Sequence, residues 1–312
     1  MQSKPSTIVM LGTGGTVAGV AADPRDNVGY RAAQIGVAEL VSAIPALAGM
    51  GLQTEQVAQV DSKDMGFAIW RGLAERVSHH LARDEVAGVV ITHGTDTLEE
   101  TAYFLQRVLA PVKPVVLTAA MRPTTSLLRD GPQNLLDAVT VAGAPGARGV
   151  VAVLAGRVHG GLDVRKCHPY RLDAFGSGDA GALADVEEGV LRMHRPWPTG
   201  EPLGLRRLPV DTEAWPRVEV LLSHAGVSGT LVHAMCGSGV HGIVVAGTGN
   251  GTLHHALQSA LLQAQAQGIR VLRSSRCADG AVLASVNDLL PSAGPLTPVQ
   301  ARIELMLQLC PA

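Results

Sequence analysis

The chain has 312 residues, of which 46% are hydrophobic and 17% charged, and its net charge at pH 7 is −2. This composition excludes a disordered chain, and the lack of a basic field argues against nucleic-acid binding. No apolar run is long enough to cross a membrane. The stretch before Thr7 holds no charged segment followed by a long apolar one, so the sequence predicts no signal peptide.

Cysteine usage points to a reducing compartment. The four cysteines lie far apart and form no Cys-x-x-Cys motif: Cys167, Cys236, Cys277 and Cys310. Free thiols are the simple interpretation of this spacing. The sequence therefore predicts a cytoplasmic protein.

The first 155 residues alternate between predicted strands and predicted helices. Strands are expected at 7–11, 54–60, 88–91, 114–117 and 149–155, and helices at 37–43, 67–81 and 130–141, with another helix after residue 98. This alternation is typical of a parallel sheet with right-handed crossovers. Residues 22–30 are predicted to form an exposed, mobile loop, and we expect 18–30 to act as a lid.

The rest of the chain divides into a strand-poor region, a linker and a second domain. Residues 157–193 hold short strand-like pieces, and prolines follow at 196, 198, 202 and 209. Strands at 218–222, 242–246 and 269–272 alternate with helices near 229–237, 252–266 and 297–309. We therefore predict a two-domain α/β fold, with a larger N-terminal domain on a mostly parallel sheet at 1–190, a linker at 191–211, and a smaller C-terminal α/β domain at 212–312.

The most informative stretch follows the buried strand predicted at 88–91. It packs His93, Thr95, Asp96 and Thr97 around Gly94, and a helix begins directly afterwards. Ligands bind at the carboxyl ends of strands in open parallel sheets. A helix cap would need only one such side chain, so four polar groups favour a functional site over a cap formed by Thr95 or Asp96.

Further polar clusters follow other predicted strands, at 12–16, 61–64 and 247–252. Parallel strands place such turns along one sheet edge, so the clusters can converge. The glycine-rich turn at 12–16 lacks the Lys-Ser/Thr pair of a P-loop and does not complete a dinucleotide fingerprint. It does offer the hydroxyls of Thr13 and Thr16 beside backbone N–H groups, which could serve as a nucleophile and an oxyanion hole. Alone, these threonines could simply shape the turn.

A threonine hydroxyl needs a base, and Lys166 is a candidate. A desolvated Lys166 beside Thr95 and Asp96 would complete a Thr–Lys–Asp relay. A solvated surface lysine is the alternative. The histidine pairs at 79–80 and 254–255 lack metal-ligand spacing, so we predict helix surface or core positions for them and no metal site.

Two of these stretches resemble the signature segments of the bacterial-type L-asparaginases, the asparaginase/glutaminase family: residues 13–18 (TGGTVA) and 88–98 (GVVITHGTDTL). Segments 61–65, 120–123, 130–136, 163–166, 173–175 and 247–252 are also similar to family elements, so the resemblance covers essentially the whole chain. It implies a two-domain α/β fold and a homotetramer built from close dimers, or a homodimer, with sites shared between subunits.

The resemblance also implies a reaction and its residues. Asparagine would be hydrolysed to aspartate and ammonia in two steps through an acyl-threonine, with neither metal nor organic cofactor. Thr16 resembles the nucleophile, Tyr30 the loop tyrosine that contacts it, and Thr95, Asp96 and Lys166 the second polar triad. The implied substrate-binding residues are Gly15, Asp61, Ser62, Lys63, Gly94 and Ala120.

Some positions depart from the family pattern. Lys63 stands where the family commonly has a neutral or acidic polar residue, and Thr252 replaces a common amide. The acid that the secreted enzymes supply from the neighbouring subunit has no clear counterpart; residues 278–297 offer only Asp279 and Asp288.

These departures leave other functions open. One is an amidohydrolase for glutamine or for an amide without a free α-ammonium group, and another is a non-catalytic amino-acid-binding relative. A tRNA-dependent amidotransferase subunit would require a tRNA-binding surface and an added N-terminal domain, and the sequence shows neither.

Overall fold

A computed structural model describes residues 7–311 of the chain. The chain divides into two compact units, Met1–Leu205 and Arg206–Ala312. The linker predicted at 191–211 spans this division and remains a proposal. The prediction about a signal peptide concerns residues before Thr7, which lie outside the described range.

The first unit is built on an eight-stranded sheet with the order β10-β9-β6-β5-β4-β3-β1-β2. Pairing is parallel from β2 to β5 and antiparallel from β5 to β10, which confirms a mostly parallel sheet. A separate two-stranded ribbon joins β7 to β8. The strands are β1 Thr7–Gly14, β2 Leu52–Val60, β3 Val86–Thr92, β4 Pro114–Thr118, β5 Gly149–Leu154, β6 Arg157–Gly160, β7 Arg165–Lys166, β8 Phe175–Gly176, β9 Ala184–Glu187 and β10 Val190–Met193.

Four helices accompany this sheet: α1 Val37–Ser42, α2 Phe67–Leu81, α3 Leu98–Leu109 and α4 Gly131–Ala142. Helix α2 matches its predicted bounds because its apolar residues recur at helical spacing and bury Trp70, Leu73 and Val77. Helix α4 has proline in its first turn, where the missing N–H carries no cost. The fully buried interiors of β3, β4 and β5 explain their continuous apolar sequences.

The first strand extends three residues beyond its prediction, into the glycines expected to form a turn. Gly12 pairs with Thr92, and Gly14 pairs with Val60 after a register shift. Gly14 has a φ of +106°, and a Cβ there would lie 2.5 Å from the Val60 carbonyl oxygen. Glycine is therefore required by the close approach of two strands, a requirement that apolar periodicity does not reveal.

The second unit contains a parallel three-stranded sheet with the order β11-β12-β13. Its strands are β11 Val218–Leu222, β12 Gly242–Gly247 and β13 Arg270–Ser275, and its helices are α5 Thr230–Gly237, α6 His255–Ala266 and α7 Pro298–Leu309. The apolar core includes Val232, Ile243, Leu257 and Leu261. A capping box between Thr297 and Gln300 begins α7. The predicted two-domain α/β class is confirmed.

None of the helices in residues 7–311 combines the length and the apolar character needed to cross a membrane. The four cysteines form no disulfide bond: Cys167 and Cys277 are exposed, Cys236 is half-buried and Cys310 is buried.

Candidate active site

Three of the predicted polar clusters meet at one edge of the first sheet. The strands β2, β1 and β3 are neighbours in that order and run parallel, so their carboxyl ends lie side by side. The backbones of the turns after β1 and β3 touch, because a Cβ on Gly15 would lie 2.4 Å from the Cα of Gly94. The turn after β2 joins them through Ser62, whose Oγ occupies the space beside Gly94. The expected convergence therefore occurs within this unit.

The turn after β3 carries the tightest polar cluster. The Nζ of Lys166 lies 2.9 Å from the Oγ1 of Thr95 and 2.7 Å from the Oδ1 of Asp96, across about 70 residues of sequence. The Lys166 side chain is only 18% exposed, whereas that of Asp96 is 55% exposed. Lys166 is thus a bridging group in a partly desolvated position, and the solvated-lysine alternative is wrong.

The same turn does not cap helix α3. The N-cap position is Thr97, which makes no side-chain capping hydrogen bond. Its hydroxyl instead donates to the Ser62 carbonyl at 2.7 Å, and the Asp96 backbone N–H donates to Ser62 Oγ at 3.2 Å. The polar residues of this turn therefore serve contacts other than a helix cap.

Thr16 and Tyr30 form a second pair. Their hydroxyl oxygens lie 2.6 Å apart, and either can donate. Thr16 is 5% exposed and begins a short 3-10 turn, Thr16–Ala18, next to Gly15 with a φ of +82°. Burial raises the pKa of Tyr30, although its contact with Thr16 acts in the opposite direction. Tyr30 is therefore a neutral phenol at physiological pH. The Gly15 N–H donates to Val60, so it is not available to an oxyanion.

The loop that carries Tyr30 is exposed, as predicted, but it is anchored at several points. A β-bridge joins Val20 to Arg31 at its base. The Ala21 N–H donates to Thr125 Oγ1 at 2.9 Å, and Ser126 Oγ donates to Asn27 Oδ1 at 2.7 Å. The loop thus lies against residues 124–127. Its mobility stays a prediction.

A buried hydrogen-bonded chain supports the turn after β3, and sequence reasoning missed its role. Trp70 Nε1 donates to Thr101 Oγ1, which donates to His93 Nε2, both at 2.9 Å; His93 Nδ1 donates to the Gly94 carbonyl at 2.7 Å. Complete burial lowers the pKa of His93 to about 4. The imidazole is therefore neutral with its proton on Nδ1, and it fixes the peptide beside Thr95.

Glu99, in the first turn of α3, contacts this cluster although it was not among the predicted site residues. The Glu99 Oε2 accepts a hydrogen bond of 2.7 Å from the backbone N–H of Lys166. Burial raises the pKa of this carboxyl to about 7. Its position three residues after Asp96 was the only hint in the sequence. Spacing along the chain does not reveal a contact with Lys166, which is 67 residues away.

The remaining predicted substrate-binding residues have different surroundings. Lys63 is 64% exposed, and its Nζ lies 2.7 Å from Asp61 Oδ2. Asp61 also begins the short 3-10 turn Ser62–Asp64 by accepting the Lys63 N–H. Ala120 is fully buried in the apolar core with Val17, so its side chain is not part of the polar cluster.

In the second unit, the glycine turn at 247–252 closes on itself. Thr248 and Thr252 form a β-bridge, and their hydroxyl oxygens lie 2.8 Å apart. Asp288, one of the two acids available in 278–297, accepts hydrogen bonds from the Arg273 guanidinium and the Ser285 N–H. Within residues 7–311, no group of three or more His, Cys, Asp or Glu side chains is arranged to hold a metal ion.

Comparisons with known proteins agree with this architecture. The N-terminal asparaginase family model matches residues 7–199, and the glutaminase/asparaginase C-terminal domain model matches residues 217–310. L-asparaginase 2 of Escherichia coli K12 is 37% identical, over 97% of this chain and 88% of its own length. A glutaminase-asparaginase of Pseudomonas fluorescens is 36% identical, over 99% and 87%.

A solved structure gives the same result. The probable cytoplasmic L-asparaginase of Campylobacter jejuni superposes with a TM-score of 0.92 at 36% identity, over 98% of this chain and 96% of that one. Together with the two family models, this full-length similarity shows that the chain belongs to the asparaginase family of amidohydrolases.

Proposed function

We propose that this chain is an L-asparaginase that hydrolyses L-asparagine to L-aspartate and ammonia through a threonine acyl-enzyme. The observation that carries the proposal is the contact of one partly desolvated lysine, Lys166, with both Thr95 and Asp96. Beside it lies the turn of Thr16, whose hydroxyl contacts Tyr30. Two threonine hydroxyls, each with its own polar partner, suit a reaction with two successive nucleophilic attacks.

In the first step, Thr16 Oγ1 attacks the carboxamide carbon of the substrate. A C–O bond forms, the C–N bond breaks, and the nitrogen leaves as ammonia after it gains one proton, which balances the proton that Thr16 loses to Tyr30. Tyr30 is neutral, so it accepts the hydrogen bond of Thr16 and passes its own proton onward instead of acting as a phenolate.

In the second step, water attacks the acyl carbon and forms a new C–O bond, the C–O bond to Thr16 breaks, and the proton lost by the water restores the Thr16 hydroxyl as aspartate is released. We assign the positioning of this water to Thr95, whose hydroxyl accepts a hydrogen bond from Lys166 Nζ. Asp96 holds Lys166 with one carboxylate oxygen, and its second, exposed oxygen is available to the α-ammonium group of the substrate.

The substrate carboxylate is assigned to Ser62 and to backbone N–H groups of the turns that carry Gly15 and Gly94, other than the N–H of Gly15 itself, which donates to Val60. Ser62 Oγ accepts the Asp96 N–H, so its own proton is available for donation. The family resemblance supports a homotetramer or homodimer with shared sites. The name of the Campylobacter jejuni protein supports a cytoplasmic location.

Glutamine is a second candidate substrate, because a relative with nearly the same identity is named a glutaminase-asparaginase. Ammonia release from L-asparagine and from L-glutamine tests both possibilities in the wild-type enzyme and in Thr16→Ala. We expect release from asparagine by the wild type and none above background by the variant. Binding of asparagine without ammonia release would instead support a non-catalytic relative.

A further inference from the structure

Glu99 has no part in the reaction proposed above, yet its carboxylate lies beside the groups on which that reaction depends. It is the second residue of α3, and its Oε2 accepts the backbone N–H of Lys166 at 2.7 Å. The strand that carries Lys166, β7, has only two residues and pairs with only two others, in β8. Two-stranded ribbons are weakly stable by themselves, so contacts outside the ribbon decide where Lys166 stands.

We propose that Glu99 is a positioning residue for Lys166, whose carboxylate holds β7 against the first turn of α3. This role rests on the proposed function, because it acts through a lysine assigned to catalysis. Lys166 is thereby attached twice to one short segment: its Nζ reaches Thr95 and Asp96, and its backbone N–H reaches Glu99. The double attachment fixes both ends of the side chain that bridges the cluster.

The environment of Glu99 indicates that its carboxyl is committed to this contact. A carboxyl in the first turn of a helix commonly stabilises the helix N-terminus. Glu99 instead lies in a largely buried position, and burial raises its pKa to about 7 despite the N–H of Lys166. The charges of Arg165 and Lys166 on β7 lower this pKa, and that of Glu100 on α3 raises it. A buried carboxyl is costly, and this hydrogen bond offsets part of the cost.

The contact also predicts a pH effect on turnover. An ionised carboxylate accepts an N–H hydrogen bond more strongly than a protonated one. Protonation of Glu99 below about pH 7 should therefore loosen β7 and reduce activity. A glutamine side chain at this position would keep a neutral acceptor oxygen of similar size at every pH, so Glu99→Gln should lose this component of the acid limb.

Three variants test the proposal: Glu99→Ala, Glu99→Gln and the matched control Glu100→Gln on the same helical turn. Removal of the acceptor in Glu99→Ala should lower kcat by about tenfold or more with KM nearly unchanged, because small misplacements of catalytic groups are costly. Glu99→Gln keeps a neutral and therefore weaker acceptor, so its kcat at pH 8 should lie between those of the wild type and Glu99→Ala, and its pH–rate profile should show a shallower acid limb. Glu100→Gln should retain both the wild-type kcat at pH 8 and an acid limb near that of the wild type.

Crystal structures of the same proteins give a readout that does not require turnover. The Lys166 Nζ–Thr95 Oγ1 separation should stay near 2.9 Å in Glu99→Gln and exceed hydrogen-bond distance in Glu99→Ala. An unchanged separation in Glu99→Ala, a wild-type kcat for that variant, or a Glu99→Gln enzyme as impaired as Glu99→Ala would overturn the proposal. A wild-type protein that releases no ammonia would overturn the proposed function alone, since the separations would still decide the role of Glu99.

Discussion

The two threonines of the site are held in different ways. Thr95 lies on a turn fixed from behind by the fully buried His93 and from the side by Lys166. Thr16 lies on a glycine turn, and its hydroxyl contacts Tyr30 on a largely exposed loop. A cluster attached to the core is organised before substrate arrives, whereas a pair completed by a loop can open and close. The difference suggests that the Thr95 cluster is fixed and that the Thr16–Tyr30 pair is the adjustable part.

Removing the hydroxyl of Thr16 or of Thr95 should reduce turnover more than any other change. Thr16→Ala and Thr95→Val should each lower kcat by at least about 10³-fold, as for members of a cooperating catalytic set. Both residues lie in turns outside the apolar core, so the folded protein should be retained. Steady-state ammonia release measures kcat, and thermal melting measures whether the folded protein is retained. Thr16→Ser and Thr95→Ser, which keep the hydroxyl, should recover much of the loss; near-wild-type turnover in Thr16→Ala or Thr95→Val would contradict the mechanism.

Tyr30→Phe disrupts only the Thr16–Tyr30 pair. It removes the hydroxyl that contacts Thr16 and should lower kcat by about 10²-fold, a typical size for lost acid–base assistance. Tyr170→Phe is the control, because Tyr170 is exposed and its ring packs against Arg122. An active Tyr30→Phe enzyme would show that Thr16 obtains its assistance elsewhere.

The cluster around Thr95 should also affect the free energy of unfolding, through the carboxyl of Glu99. Burial raises the pKa of Glu99 from 4.5 to about 7, so the stability linked to this group is fully present below pH 4.5 and is lost as the pH rises through about 7. Glu99→Gln removes this loss. Relative to the wild type, its free energy of unfolding should therefore improve by roughly 2–3 kcal/mol between about pH 5 and about pH 8.

Urea denaturation at the two pH values measures this change. Glu100→Gln provides a control with the same change in charge. Equal pH dependence in the wild type and Glu99→Gln would mean that Glu99 is ionised without cost in the folded protein.

A substitution of Lys63 tests whether its charge acts on the α-ammonium group of the substrate. An ammonium about 4 Å from the α-ammonium of the substrate would repel it by about 4 kcal/mol at an effective dielectric constant of about 20. In the structure the Lys63 ammonium instead pairs with the Asp61 carboxylate, which offsets its charge. We therefore expect Lys63→Gln to change the KM for asparagine by less than about tenfold, which is about 1.4 kcal/mol. A larger fall in KM would instead favour an amide substrate without a free α-ammonium group.

The smallest expected effect concerns the loop at 18–30. Hydrogen exchange with and without aspartate should show added protection there and little change around His93, which is already buried. Equal protection in both states would remove the distinction between an adjustable and a fixed half.

Local patterns in the sequence predicted most of the helices and strands and the reactive side chains of the candidate site. Apolar periodicity predicted α2 and the buried strands, and the polar residues after β3 predicted a candidate site, because each is a local pattern. The resemblance to the asparaginase family then assigned Thr16, Tyr30, Thr95, Asp96 and Lys166 as candidate catalytic residues.

Which of these groups are in contact depends on how the strands and turns are arranged in space. Lys166 reaches Thr95 from about 70 residues away, Glu99 holds its backbone, and Lys63 turns to Asp61. Contacts of this kind depend on strand order and on the space left between strands. Helical and strand periodicity indicate only which residues face a core. They do not show which side chains that are distant in the sequence will be in contact.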